Sequence, residues 1–266
     1  LLDLLARLRA VFHTPETFKN QLSQEFWKRG IPFLNASVTK ATAIAEHTLA
    51  QILFTLKQGW GLHRATHAYR AFPTYNPLWS RGSFGSTVGP IGMGATRLEV
   101  AARLTLFNHR LPAHDHYLDN ATADELGVLT RSLEAIFEES DLVSLHAPLL
   151  DSTLGLIRAD HFRSLRHNAV FLNTSLGEIV DQEALVKVLR QRPDLTAVLD
   201  VTTPDPPPAD SPLFDLENVF LTPHIAGLMG EERVRLGRFV LDEYKRHLLG
   251  QPHKHAFTVN LAEPSA

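Results

Sequence analysis

The stretch 168-NAVFLNTSLGEIVDQEALVKVL-189 decides the fold. Its apolar run ending at Phe171, Leu172 and Asn173 has the pattern of a strand buried on both faces. Thr174 to Gly177 read as a turn. Asp181 suits the N-cap of a helix written DQEALVKVLRQ. Strand, short turn and helix form the repeating unit of a parallel sheet. In open parallel sheets the carboxyl ends of the strands face the ligand, so this turn is where chemistry belongs. Yet it carries Leu176, an apolar side chain.

Working outward, the same alternation recurs. Short apolar runs (TVGPIG, RLPAHD, LVSLHAP, TAVLDVT, VFLTPHIAG) alternate from Thr87 onward with helical patterns such as ATRLEVAARLTLF, SLEAIFEES and RADHFRSLR. That alternation predicts an α/β fold with a doubly wound, Rossmann-type parallel sheet. Ahead of it, residues 39–71 show helical periodicity, and residues 72–87, rich in Pro, Gly and Ser, read as a linker. Residues 204–213 form a proline-rich loop between two strands. The opening LLDLLARLRAVF reads as a helix running into a short strand.

Composition narrows the function. The 266 residues carry 26 Lys plus Arg against 29 Asp plus Glu, a formal charge of -3. No basic excess points to nucleic acid or to a membrane surface. Cysteine is absent, so disulfides and thiolate metal sites are excluded and a cytoplasmic setting is expected. No apolar run approaches the ~18 residues of a membrane span. The histidines of 114-HDH-116 and 253-HKH-255 lack an evident third ligand and read as surface residues, so no metal is expected.

Two groups suggest a site. The turn 88-VGPIGMGATRLEVAARL-104 places Gly92 and Gly94 between a strand and a helix that begins at Ala95 and Thr96. This is the arrangement that lets backbone amides approach a pyrophosphate. The third glycine of that fingerprint is replaced by Arg97. Asp115 ends the next strand about 20 residues on, where an acid would accept from the adenosine ribose. Its plainer alternative is an aspartate that starts a turn. No Arg or Lys follows Asp115 to hold a 2′-phosphate, which favours NAD. The second group is His224, in LTPHIAG at a strand end, with Asp205 upstream in the proline-rich loop. Such a pair can pass a proton to or from a substrate oxygen. A buried structural histidine is the alternative.

With these residues in view, the chain resembles the D-isomer-specific 2-hydroxyacid dehydrogenase family over nearly its whole length. The runs 137-FEESDLVSLHAPLLDSTLGLI-157, 168-NAVFLNTSLGEIVDQEALVKVL-189 and 197-AVLDVTTPDPPPADSPLFDLENVFLTPHIAG-227 are similar to the family's three signatures. The resemblance implies hydride transfer between C2 of a 2-hydroxy or 2-keto acid and NAD. It implies that His224 is the general acid/base and Asp205, in place of the usual Glu, its partner. It puts Asp200 at the nicotinamide carboxamide and Asp115 at the ribose. His146, Ala147 and Pro148 lie along the cofactor, Thr174 and Ser175 beneath the nicotinamide, and Gly227 closes the last signature.

The family's substrate-binding arginine falls on Leu176, which has no donor. The turn that presents amides to the substrate carboxylate falls on 13-HTPETF-18, where Pro15 has no N–H and Glu16 adds like charge. Losing one partner of a desolvated charge pair costs ~2–5 kcal/mol. Impaired turnover of acids is therefore expected, and the alternatives are an NAD-binding scaffold or regulator and a truncated product. Pro90 and Pro112 are expected to disturb their strands, and Asn108 is expected in the left-handed region at a helix end. The family architecture implies residues 1–38 as part of a substrate domain, 39–227 as linker helices and NAD domain, and 228–266 as the return. Family members start earlier than Leu1, so the first segment is expected to be partial. A homodimer through the NAD domain and residues 39–80 is implied, with Trp60, Tyr69 and Trp79 read either as interface aromatics or as packing within the chain.

Overall fold

The computed structural model describes residues 7–14, 22–74, 82–92, 95–114, 127–254 and 256–257. Pro15, Glu16, Trp79, Gly94, Asp115, and the side chains of Ala95 and Arg97, lie outside the described residues. The chain divides into two compact units, residues 1–43 with 227–266, and residues 44–226.

The smaller unit holds β1 (Val11–His13), α1 (Gln24–Lys28), β2 (Phe33–Asn35), α8 (Glu231–Leu248) and β10 (Ala256–Phe257). Its sheet runs in the order β1-β2-β10, with β1 parallel and β10 antiparallel to β2. Ser23 caps α1 by accepting from the Phe26 amide, and Phe26 meets Trp27 and Phe33 edge to face. The boundary at 43/44 falls inside a helix, α2 (Ser37–Leu56).

The larger unit begins in α2 and continues into α3 (Gly59–Tyr69). Gln58, at φ 57°, separates the two helices. Then come β3 (Val88–Ile91), α4 (Ala95–Leu104), β4 (Pro112–Ala113), β5 (Leu129–Thr130), α5 (Leu133–Glu139) and β6 (Leu142–Leu145). They are followed by α6 (Ala159–Ser164), β7 (Val170–Asn173), α7 (Gln182–Gln191), β8 (Thr196–Leu199) and β9 (Val219–Leu221). Six of these strands coincide with the apolar runs of the sequence. β5 gave no such signal, being two exposed residues.

Strands β3-β6-β7-β8-β9 form one parallel sheet. Its central strands are buried on both faces, as their continuous apolar runs require. Val170 and Leu172 pack with Ile52 of α2 and Val100 of α4, while Phe171 between them packs with Phe137 of α5 and Leu185 of α7. One strand thus feeds two cores, and helices on both faces give the doubly wound architecture.

The prolines explain why the sheet stops at β3. Parallel β4 and β5 continue beyond it, but only isolated bridges, Thr87 with Arg110 and Ile91 with His114, join β4 to β3. The amides of Val88 and Gly92 donate to Arg110 and His114, and those of Arg110 and His114 donate to Ser86 and Pro90. By the period of two, the nitrogens of Pro90 and Pro112 point into this same seam. Neither can donate. Two consecutive ladder bonds are therefore missing, and the Val88 and Pro112 carbonyls lose their donors, at about 1–3 kcal/mol for each left unsatisfied. The β4–β5 pairing is spared, because Leu111 and Ala113 accept from Leu129 and Arg131 on the far side. Asn108 does not take the left-handed conformation expected of it. α4 ends earlier, at Leu104, and the Asn108 carbonyl accepts from Gly85.

Candidate functional site

The site can be built from strand ends. The chain leaves β3 for β4 and β5 on one side and returns to β6 on the other, so the order reverses at β3. That is the switch point where an open α/β sheet forms its crevice. Gly92 directly follows β3 there at φ 95°, and a Cβ on it would lie 2.5 Å from the Ala147 backbone. Only glycine lets the two strand ends come this close. The His146 amide donates to Ile91 at 2.8 Å, and the His146 ring meets the buried Ser144 hydroxyl at 2.8 Å. Loop 146–148 is thereby fixed beside Gly92.

Next along the sheet, the turn after β7 is held from three sides. Asn173 folds it by accepting from the Ser175 amide and donating to the Leu176 carbonyl. The Ser175 hydroxyl donates to the Ala147 carbonyl at 2.6 Å, tying the turn to the loop after β6. The Thr174 hydroxyl meets Thr48 of α2 at 2.9 Å in a fully buried pair. Leu176 is half-buried and packs against the core beneath. Gly177 is buried against the turn after β8, where any Cβ would overlap the Thr202 carbonyl.

That neighbouring turn carries Asp200, 3% exposed. One carboxylate oxygen accepts from the Thr222 hydroxyl and the Ile225 amide, the other from the Ala226 amide. The Asp200 carbonyl also accepts from the His224 amide. The resemblance placed Asp200 at the nicotinamide carboxamide. In the structure its carboxylate also holds the loop that presents His224. Gly227 follows with open space about it.

His224 and Asp205 come together. The imidazole Nδ1 donates to the Asp205 carboxylate at 2.7 Å, so the shorter aspartate reaches as well as the family's glutamate would need to. His224 stands at φ 54°, in a region non-glycine residues rarely occupy, and its side chain is 54% exposed. A buried structural histidine is thereby excluded. Sequence reasoning missed three supports of this arrangement. They are Thr48, which holds the Thr174 turn, Thr222, which bonds Asp200, and Gln182, which bonds the Thr203 backbone, and all three contacts join segments far apart in the chain. The His114 ring donates from Nδ1 to the Arg131 carbonyl, and His253 stacks on His247. Among the described residues no group of three or more His, Cys, Asp or Glu could hold a metal.

Residues 49–226 match the family described as D-isomer specific 2-hydroxyacid dehydrogenase, NAD binding domain. The chain belongs to this family. It is 33% identical to a glyoxylate reductase of Korarchaeum cryptofilum over 238 residues, covering 89% of this chain and 72% of that protein. It is 29% identical to a D-3-phosphoglycerate dehydrogenase of Archaeoglobus fulgidus over 244 residues, 90% of this chain but 45% of that one. The chain therefore spans under half the length of one relative and about three quarters of the other. Among solved structures, apo D-mandelate dehydrogenase of Rhodotorula graminis superposes at TM-score 0.78 with 25% identity, covering 94% of this chain and 74% of that one. The fold is also that of the D-lactate dehydrogenase of Lactobacillus jensenii, at TM-score 0.78 and 22% identity, with 97% and 88% covered.

The cofactor of the family's domain is NAD, and the residues present fit it. The crevice at Gly92, with α4 starting directly after the turn, is where a dinucleotide pyrophosphate would lie. The strand ends at His146–Pro148 and Thr174–Ser175 continue the same edge toward His224. Among the described residues no helix is long and apolar enough to cross a membrane.

Proposed function

We propose that this dehydrogenase transfers hydride between C2 of a 2-hydroxy or 2-keto acid and NAD, with His224 as general acid/base and Asp205 as its orienting partner, and that its turnover of anionic acids is impaired. The observation that carries the reading is the 2.7 Å His224–Asp205 bond at the carboxyl edge of the sheet. NAD supplies or accepts the hydride. Gly92, Gly94, Ala95 and Thr96 would receive its pyrophosphate, Asp115 its adenosine ribose, and the 146–148 and 174–175 segments its nicotinamide side. In reduction, His224 gives a proton to the substrate oxygen, and in oxidation it removes one. Asp205 keeps Nδ1 occupied, so the other ring nitrogen faces the reaction.

The impairment rests on Leu176. A leucine packed against the core offers no fork to a carboxylate. A second reading follows from the same residue, an NAD-binding relative that works as scaffold or regulator. A cytoplasmic homodimer belongs to the first reading. Tyr69 and Phe72 are 72% and 92% exposed and available to it, whereas Trp60 is used internally, stacked on Phe220 and bonded to Gln51.

Titration with NADH, followed by a panel of 2-keto acids, separates the readings. Slow NADH oxidation is expected in the wild type, with a further drop of about 100-fold or more in His224→Asn. NADH binding without any oxidation in either protein would favour the scaffold. Turnover unaffected by His224→Asn would remove the histidine from the mechanism.

A further inference from the structure

Asp205 and His224 are both substantially exposed, so burial does not hold them together. The side chains are 34% and 54% exposed, and the loop that carries Asp205 is rich in proline and short of secondary structure. Something must fix where that loop stands. Two grips are present, and both come from the turn and helix after β7.

The first is steric. Gly177 lies against the Thr202 backbone with no room for a Cβ, so the two turns abut. The second is a two-point hydrogen bond. The Gln182 side-chain amide donates to the Thr203 carbonyl at 2.6 Å, and its oxygen accepts from the Thr203 amide at 2.8 Å. Two points define both position and direction of that peptide. Thr203 is two residues ahead of Asp205, and across it the Thr202 hydroxyl closes onto the Pro204 carbonyl at 2.6 Å.

Gln182 itself is firmly rooted. It is the first residue of α7, whose N-cap Asp181 accepts from Ala184 and whose apolar face is buried through Leu185, Val188 and Leu189. The helix thus sets Gln182, Gln182 sets Thr203, and Thr203 sets the start of the Asp205 loop. Water could satisfy the exposed Thr203 peptide groups equally well. The bond pair therefore adds little to stability, and what it supplies is placement.

We propose that Gln182 is a positioning residue, acting through Thr203 to hold Asp205 at hydrogen-bonding distance from His224. This rests on the reading of His224 and Asp205 as the proton-transfer pair. It also joins the turn that carries Leu176 to the pair that carries the proton, since both grips spring from one strand–turn–helix unit.

The test compares Gln182→Ala, Gln182→Glu and Asp205→Asn with the wild type in three measurements. These are thermal unfolding, steady-state NADH oxidation with glyoxylate across pH, and the His224 Nδ1 proton resonance in histidine-labelled protein with NADH bound. Gln182→Ala is expected to unfold at nearly the wild-type temperature and to bind NADH unchanged. Its kcat should fall roughly ten- to a hundredfold, the scale of a small misplacement of a catalytic group. Its kcat pH profile should move toward that of Asp205→Asn, and its Nδ1 proton should broaden. Gln182→Glu keeps the acceptor and loses the donor, so it should fall between.

If Asp205→Asn cripples the enzyme and Gln182→Ala does not, the proposal is overturned and the proton-transfer reading stands. If Asp205→Asn changes neither kcat nor the resonance, the reading itself fails. If glyoxylate is not turned over at all, the resonance decides alone. An Nδ1 proton as sharp in Gln182→Ala as in the wild type overturns the proposal.

Discussion

Leu176 was visible in the sequence as a departure, but its structural role was not. The signature around it located the position. Only packing shows that the side chain lies on the core beneath the turn. Leu176→Arg must therefore lift a side chain off apolar contacts and turn it toward the crevice. A stability loss of about 1 kcal/mol is expected. Activity on 2-keto acids should rise by roughly ten- to a thousandfold if the missing fork is what limits turnover. Melting curves and kcat/KM of the variant check both, and an arginine that leaves kcat/KM unchanged removes Leu176 as the cause of impairment. Asp205 and His224 show the reverse relation. Their residue types and strand-end context were legible. Their 2.7 Å bond depends on how two loops close, which spacing does not encode.

At the scale of elements, strands with long apolar runs were easy to read because burial on both faces leaves a strong pattern. β5 was not, because two exposed residues leave none. The prolines were legible as trouble, and the structure shows where the trouble falls. Pro90 and Pro112 cut the same seam and leave the β3–β6 ladder whole. Hydrogen exchange followed by NMR should see this within one strand. The Val88 and Gly92 amides, facing β4, should exchange faster than those of Gly89 and Ile91, facing β6, by roughly tenfold. Pro112→Ala, which restores a donor to the seam, should slow the first pair only. Equal protection on both sides of β3 would mean that the missing bonds do not weaken the seam.

For the molecule as a whole, acid should act through a few buried or bonded groups. Arg192 bonds Asp194 through two nitrogens, at 2.7 and 2.9 Å, and holds its carboxyl at about 2, below the usual 3.8. A depressed carboxyl stabilises the fold above its unfolded value, and this is lost as pH falls from near 4 through about 2. The contribution is roughly 2 kcal/mol. Burial lowers His161 and His109, so each resists protonation when folded, and stability should already decline as pH drops below 6.5. Urea unfolding between pH 7 and 2 should show both stages. Asp194→Asn should lose stability at pH 7 and flatten the lower stage, and a variant with the wild-type acid limb would exclude this ion pair as its source.

The sequence by itself determined the α/β class, the family and the NAD domain, and it named candidate reactive groups, because burial pattern and turn chemistry are local properties. Tertiary structure alone decided that Asp200 ties down the His224 loop, that Gln182 grips Thr203, that two prolines open one seam, and that Leu176 packs on the core. Each of these is a contact between segments distant in the chain, and no local pattern specifies which segments will meet.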